Sequence, residues 1–126
     1  MMPNHNSELE MMHYKLPSGQ LLEIDHEAQT KAPELLFEGL EPNSGVHNMI
    51  FDVLQECPLD GKNELLKNVI LAGGSTCFPN FDDRLKYELA QLLNISKHQI
   101  EISPEQPSNP RKLKNWLGAT IVAQLK

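Results

Sequence analysis

Residues 68–81 read NVILAGGSTCFPNF, and the fold follows from how that stretch is divided. Val69, Ile70, Leu71 and Ala72 are consecutive apolar residues closed by Gly73 and Gly74, the pattern of a short strand buried on both faces. Ser75 and Thr76 carry the chain round to Asn80, which opens a helix. Asp82 and Asp83 fall in its first turn, where the dipole favours acids, and Phe81, Leu85, Leu89 and Leu92 line one face. A strand that ends in bare backbone and turns into a helix is where α/β sheets hold ligands. Glycine lets a flat ligand lie against the main chain, and Ser75, Thr76 and the backbone N–H groups can donate to its oxygens. Such a glycine pair equally serves a plain structural turn, and the spacing is neither GxGxxG nor a phosphate loop.

Upstream, HYKLPSGQLLEID (residues 13–25) alternates apolar residues around Pro17, Ser18 and Gly19 and predicts a β-hairpin. Residues 28–37 predict a short helix with Pro33 in its first turn, ended by Gly39. Between residues 45 and 57, Val46, Met49, Ile50, Val53, Leu54 and Cys57 recur every three or four positions, an amphipathic helix capped by Asn43 or Ser44. A turn over residues 58–62 and a short helical stretch with Leu65 and Leu66 lead into the central segment. Downstream, the second strong helix ends near Asn94, residues 100–103 alternate like a short strand, and PEQPSNP (104–110) reads as an extended loop. Residues 113–125 are apolar on nearly every side, which predicts a helix buried on most of its surface. Residues 1–12 read as a flexible tail. The order is α/β, with a thin sheet made of one hairpin and two further short strands.

The 126 residues carry 11 Lys and Arg against 17 Asp and Glu, a formal charge of −6. The basic residues are scattered, so no electrostatic footprint for nucleic acid or an anionic membrane is present, and neither is expected as a partner. No signal peptide or long apolar run is apparent, and a soluble intracellular protein is expected. Cys57 and Cys77 have no metal-site or disulfide spacing and read as two reduced, largely buried thiols. His5, His13, His26, His47 and His98 show no ligand spacing, so no metal is expected, and Asp82 and Asp83 are better explained by the helix dipole than by acid–base chemistry. Neither Ser75 nor Cys77 has a partner base that the spacing identifies, and no catalytic residue is assigned. Lys112 precedes the last apolar helix, either as a solvated lysine or as a ligand contact.

Taken together, YKLPSGQLLEI (14–24), APELLF (32–37), GVHNMIFDVLQEC (45–57), NVILAGGSTCFPNFDDRLKYEL (68–89) and NWLGATIVAQL (115–125) resemble the C-terminal part of actin and the actin-related proteins. The resemblance implies a partial actin-like ATPase lobe of RNase H-like type, hairpin plus short strands packed with helices, with residues 13–126 as the actin-like region. In that family ATP lies in a cleft between two lobes. The turn corresponding to Gly73, Gly74, Ser75 and Thr76 approaches its adenosine side, as does the pair Cys77 and Phe78, where the family usually has a larger sulfur residue and an aromatic. By the same resemblance Lys112 reaches the adenine, and the helix from Trp116 is an interdomain connection in which small Gly118 and Ala119 allow close packing.

The family's phosphate-gripping hairpins, its metal-holding groups and its attacking-water site correspond to sequence N-terminal to this region, so the resemblance implies that the chain alone is not a complete enzyme. FEGLEPNSGVH (37–47) replaces the family's apolar plug with Glu38, Glu41 and Pro42, which favours an actin-related protein over a filament-forming actin. The expectation is the adenosine side of an ATP cleft and a surface for actin-family or complex subunits, in a cytoskeletal or chromatin assembly. The cytoplasmic cytoskeleton is the expected location, with the nucleus as alternative. The competing expectation is a stand-alone actin-derived interaction module without nucleotide binding. On either reading, exposed strand edges favour self-association.

Overall fold

The computed structural model describes residues 11–104 and 110–125. Two antiparallel strands, β1 (Met12–Lys15) and β2 (Leu21–Ile24), are followed by helices α1 (His26–Glu38), α2 (Val46–Glu56), α3 (Leu59–Leu66), α4 (Phe81–Leu93) and α5 (Lys114–Gln124). Most of the tail expected over residues 1–12 lies outside the described residues, and Met12 already belongs to β1. Most of the expected proline-rich loop, residues 105–109, also lies outside them.

The hairpin forms around the expected turn. Leu16 and Gln20 close it with an N–H to carbonyl bond of 2.8 Å, and Gly19 supplies φ +88°, a value that L side chains rarely adopt. Its register pairs Met12 with Ile24 and Tyr14 with Leu22, yet Met12, Tyr14 and Leu21 stay exposed.

Helix α1 starts earlier than periodicity suggests, because the Asp25 carboxylate accepts the Ala28 N–H at 2.7 Å and caps it. Pro33 therefore falls inside the helix rather than in its first turn. The cap of α2 is Gly45, not Asn43 or Ser44. Ser44 instead turns back on Glu41, donating to its carbonyl and accepting its N–H. Glycine stands at position 45 because the end of α1 passes so close that an added Cβ would lie 1.8 Å from the Phe37 carbonyl oxygen.

The two short strands expected at residues 68–72 and 100–103 are reduced to one parallel bridge, Val69 to Ile102. The segments lie side by side: Val69 N–H donates to the Glu101 carbonyl and Ser103 N–H to the Val69 carbonyl. The burial also differs from the expectation. Leu71 points inward and Ile70 outward at 68% exposure, because packing covers one face of the segment only.

Helices α2 and α4 pack around a core of Phe37, Leu54, Leu66, Phe81, Leu85, Leu89 and Ile100, with Leu71 and Ala90. Leu85 and Leu89 are fully buried, and each such side chain contributes about 1.5–3 kcal/mol relative to exposure. Leu92, expected on the same face, is exposed, while Leu93 packs against the core. Asn94 ends α4 in the left-handed region with its N–H on the Ala90 and Gln91 carbonyls.

The expectation for residues 113–125 is corrected outright. The helix forms, but Trp116, Ile121, Val122 and Leu125 are all more than 60% exposed. Its apolar composition carries a requirement for cover that the described residues do not meet. An added Cβ at Gly118 would touch nothing within 4 Å, so the close packing that the resemblance implies there does not occur among them.

Candidate functional site

Gly73 ends the extended segment with φ +95° and ψ 151°, and Gly74–Cys77 form one short 3-10 turn before Phe78. The turn closes on the Gly73 carbonyl, which accepts the Thr76 N–H at 3.2 Å, the Thr76 hydroxyl at 2.8 Å and the Cys77 thiol at 3.8 Å. Thr76 therefore spends its hydroxyl on the turn. Gly74, Ser75, Cys77 and Phe78 are exposed, and the Cβ positions of Gly73 and Gly74 open onto free space. The expectation that both cysteines are largely buried is corrected for Cys77; Cys57 is half-buried and both are free.

Arg111 joins this turn to the rest of the molecule. It is 6% exposed and the one charged residue buried among those described. Its carbonyl accepts the Gly73 N–H at 2.8 Å, and its Nη1 donates to the Thr76 carbonyl at 2.9 Å. The same guanidinium grips Asp82 with both prongs, Nη1 to Oδ1 at 2.6 Å and Nη2 to Oδ2 at 2.5 Å. Asp82 thus does more than sit in the dipole field of α4. Lys112 follows on the Arg111–Leu113 turn and is exposed, next in sequence to the anchored residue. Lys114, not singled out from the sequence, turns inward and donates to the Leu71 carbonyl at 3.1 Å, tying α5 to the extended segment.

The structure therefore brings Gly73, Gly74, Ser75, Thr76, Cys77 and Phe78 into one turn, which backbone and guanidinium bonds connect to the segment bearing Lys112. A neighbouring open cavity of about 410 Å³ is lined by Cys77, Phe78, Asp82, Asp83, Pro104 and Arg111. Free backbone, a thiol and an aromatic ring suit a purine nucleoside. The carboxylates of Asp82 and Asp83, with the one cation in the lining already engaged, do not suit a polyphosphate. Among the described residues no group of three or more His, Cys, Asp or Glu side chains could hold a metal ion, and no helix is long and apolar enough to cross a membrane.

A second charge cluster lies on the α1 side. Arg84 bonds Glu34 and Glu88, each at 2.6 Å, and lies 5.1 Å over the Phe37 ring. Burial pulls the guanidinium down, but the hydrogen bonds and charges of Glu88 and Glu34 together outweigh it and leave the group above its ordinary value.

Among the described residues a hairpin, five helices and a glycine-rich turn at the end of an extended segment define a small mixed α/β unit, in keeping with part of an actin-like lobe. The family model for actin matches residues 2–126, and the chain belongs to the actin family.

Proposed function

We propose that this chain supplies the adenosine side of an ATP-binding cleft, together with a partner-binding surface, in an actin-related protein of a cytoskeletal or chromatin complex. The observation that carries the reading is the turn at residues 73–78: its outer face is open, and its backbone is tied to the segment bearing Lys112. In this reading Gly73 and Gly74 admit the purine and sugar, Cys77 and Phe78 border the ring, and Lys112 meets its edge. The chain alone does not hydrolyse ATP, since the phosphate grip comes from elsewhere in the assembly. The proposed location is cytoplasmic, with the nucleus as alternative.

Calorimetric titration of the purified chain with Mg-ATP and with adenosine, beside sedimentation, tests this. Weak affinity for adenosine and no tighter affinity for Mg-ATP are expected, because the carboxylates in the cavity do not reward the phosphates, and Gly74→Val or Lys112→Ala should remove the binding with helix content intact. A folded chain that binds neither, or binding that both substitutions leave unchanged, would refute the assignment.

A second reading, an actin-derived interaction module without nucleotide, is favoured by the bare apolar side of α5 and by an apolar groove of about 390 Å³ lined by Val46, Met49, Ile50, Val53, Leu65 and Val69, among others. Exposed apolar surface of this kind marks protein contacts. The edges of the two-stranded hairpin add a route to self-association.

A further inference from the structure

We infer that Arg111 and Asp82 are positioning residues for the 73–78 turn: their ion pair sets the shape of that turn and its spacing from Lys112. The inference rests on the adenosine reading of the turn, and its test separates the two.

The turn cannot keep its shape unaided. One four-residue 3-10 turn has poor hydrogen-bond geometry and little cooperativity, and none of its side chains lies in the core. Its internal bonds all converge on the Gly73 carbonyl. Of the three hydrogen bonds among the described residues that locate it relative to other elements, two, from the Gly73 N–H and to the Thr76 carbonyl, go to Arg111, and the third, from the Phe81 N–H to the Phe78 carbonyl at 3.2 Å, joins its far end to α4. Arg111 is located in turn by the first turn of α4, whose next residues inward, Leu85 and Leu89, are fully buried. The core thus fixes Asp82, Asp82 fixes the guanidinium, and the guanidinium fixes both the glycine turn and the start of the segment carrying Lys112.

The residue types fit that role. A planar guanidinium reaches the Thr76 carbonyl and both carboxylate oxygens at once, whereas an ammonium has no fixed fork. A carboxylate directly after Phe81 meets both prongs, and the adjacent Asp83 is exposed and makes no such bond. Arg111 is buried and Asp82 only partly so, and an ion pair of this kind adds little net stability compared with apolar packing of similar volume but imposes a specific geometry. What the pair contributes here is the position of the turn.

The test uses the whole chain with Asp82→Asn, which keeps shape and removes charge, and Arg111→Lys, which keeps charge and removes the fork; Asp52→Asn, at an exposed carboxylate on α2 away from the cavity, is the control. Amide hydrogen exchange at Thr76 and Cys77 and the affinity for adenosine are read together. Exchange at the turn should rise about ten- to hundred-fold in both variants, the range that follows from losing a charged hydrogen bond. Exchange at Leu85 and Leu89 should stay at the wild-type level, adenosine affinity should fall by a similar factor, and Asp52→Asn should change neither the exchange at the turn nor the affinity. Unchanged exchange at the turn in either variant overturns the inference. So does raised exchange with undiminished adenosine affinity, since the pair would then shape the turn to no effect on ligand. Should the wild-type chain bind no adenosine, the nucleoside reading falls, and the exchange data alone decide whether the pair positions the turn. Loss of protection at Leu85 and Leu89 as well would make the pair a general structural brace, which also overturns it.

Discussion

Replacing Gly45 with alanine should break the molecule where α1 and α2 meet. Gly45 has φ −64° and ψ 154°, a conformation open to any residue, so the effect is steric and not conformational. The new Cβ would lie 1.8 Å from the Phe37 carbonyl oxygen, 2.7 Å from its carbon and 2.8 Å from His47 Cε1. Close carbon-to-oxygen contacts are about 3.3 Å, so the end of α1 and the start of α2 must part by roughly 1.5 Å. Phe37 has little room to move, with 6% exposure, its ring centroid 5.2 Å from that of Phe81, and Arg84 above it. Overpacking of this kind costs about 1–3 kcal/mol. Because two backbone segments and a core ring are displaced together, about 3 kcal/mol or more is expected, a large share of the roughly 5–15 kcal/mol that domains have in total. Urea unfolding followed by far-ultraviolet circular dichroism measures it, with Gly61→Ala alongside. Gly61 lies inside α3 with nothing within 4 Å of its Cβ position, so alanine there should gain about 0.5–1 kcal/mol. The paired result is opposite signs. A Gly45→Ala midpoint equal to wild type would refute the close approach of the helices.

Leu85→Ala, at a fully buried site, should lose about 2–5 kcal/mol by the same urea assay. Trp116→Gln combined with Ile121→Lys should leave the unfolding midpoint within about 0.5 kcal/mol of wild type while sedimentation shows reduced self-association, because both side chains are more than 60% exposed. Gly118→Ala should stabilise the chain by about 0.5–1 kcal/mol, read from the thermal midpoint, since its Cβ enters open space on α5. Arg84 has a raised folded-state value, so its contribution is complete below the unfolded value and is lost only as pH rises through the higher folded one. The midpoint difference between wild type and Arg84→Met should therefore stay constant from about pH 7 to 10, and a variant as stable as wild type across that window would count against the pairing with Glu34 and Glu88.

Helices α2 and α4 were legible because their apolar residues repeat with the helical period, and α4 also ends on Asn94, a residue suited to the left-handed region. The hairpin was legible from Gly19. What periodicity could not show was who covers each face. A run such as residues 69–72 reads alike whether packing lies on both sides or on one, and here Ile70 faces out while Leu71 faces in. The cap of α2 was missed for a related reason: Ser44 is the better capping residue by chemistry, but only glycine fits against the Phe37 carbonyl, and that approach joins positions eight apart with no sequence signature.

The site divides the same way. The turn at residues 73–78 was readable because glycines after an apolar run mark an exposed backbone, whereas its anchoring was not, because Arg111 and Asp82 lie 29 positions apart and neither charge is unusual in its own segment. The available hint was context: Arg111 sits between a proline and an apolar helix, where a charge must either face solvent or find a partner. The apolar helix poses the converse problem. Fully burying a side chain of the Leu or Ile class contributes about 1.5–3 kcal/mol, so leaving Trp116, Ile121, Val122 and Leu125 bare forgoes several kcal/mol that a covering surface would recover. The sequence marked these residues as core on that physical ground, and the structure shows them as surface. Both hold if the surface that completes the core belongs to a partner, which ties the proposed cleft and the proposed partner surface to the same segment: Lys112 and the bare face of α5 lie within one helical stretch, so a protein that covers the face also sets how the adenine edge is met.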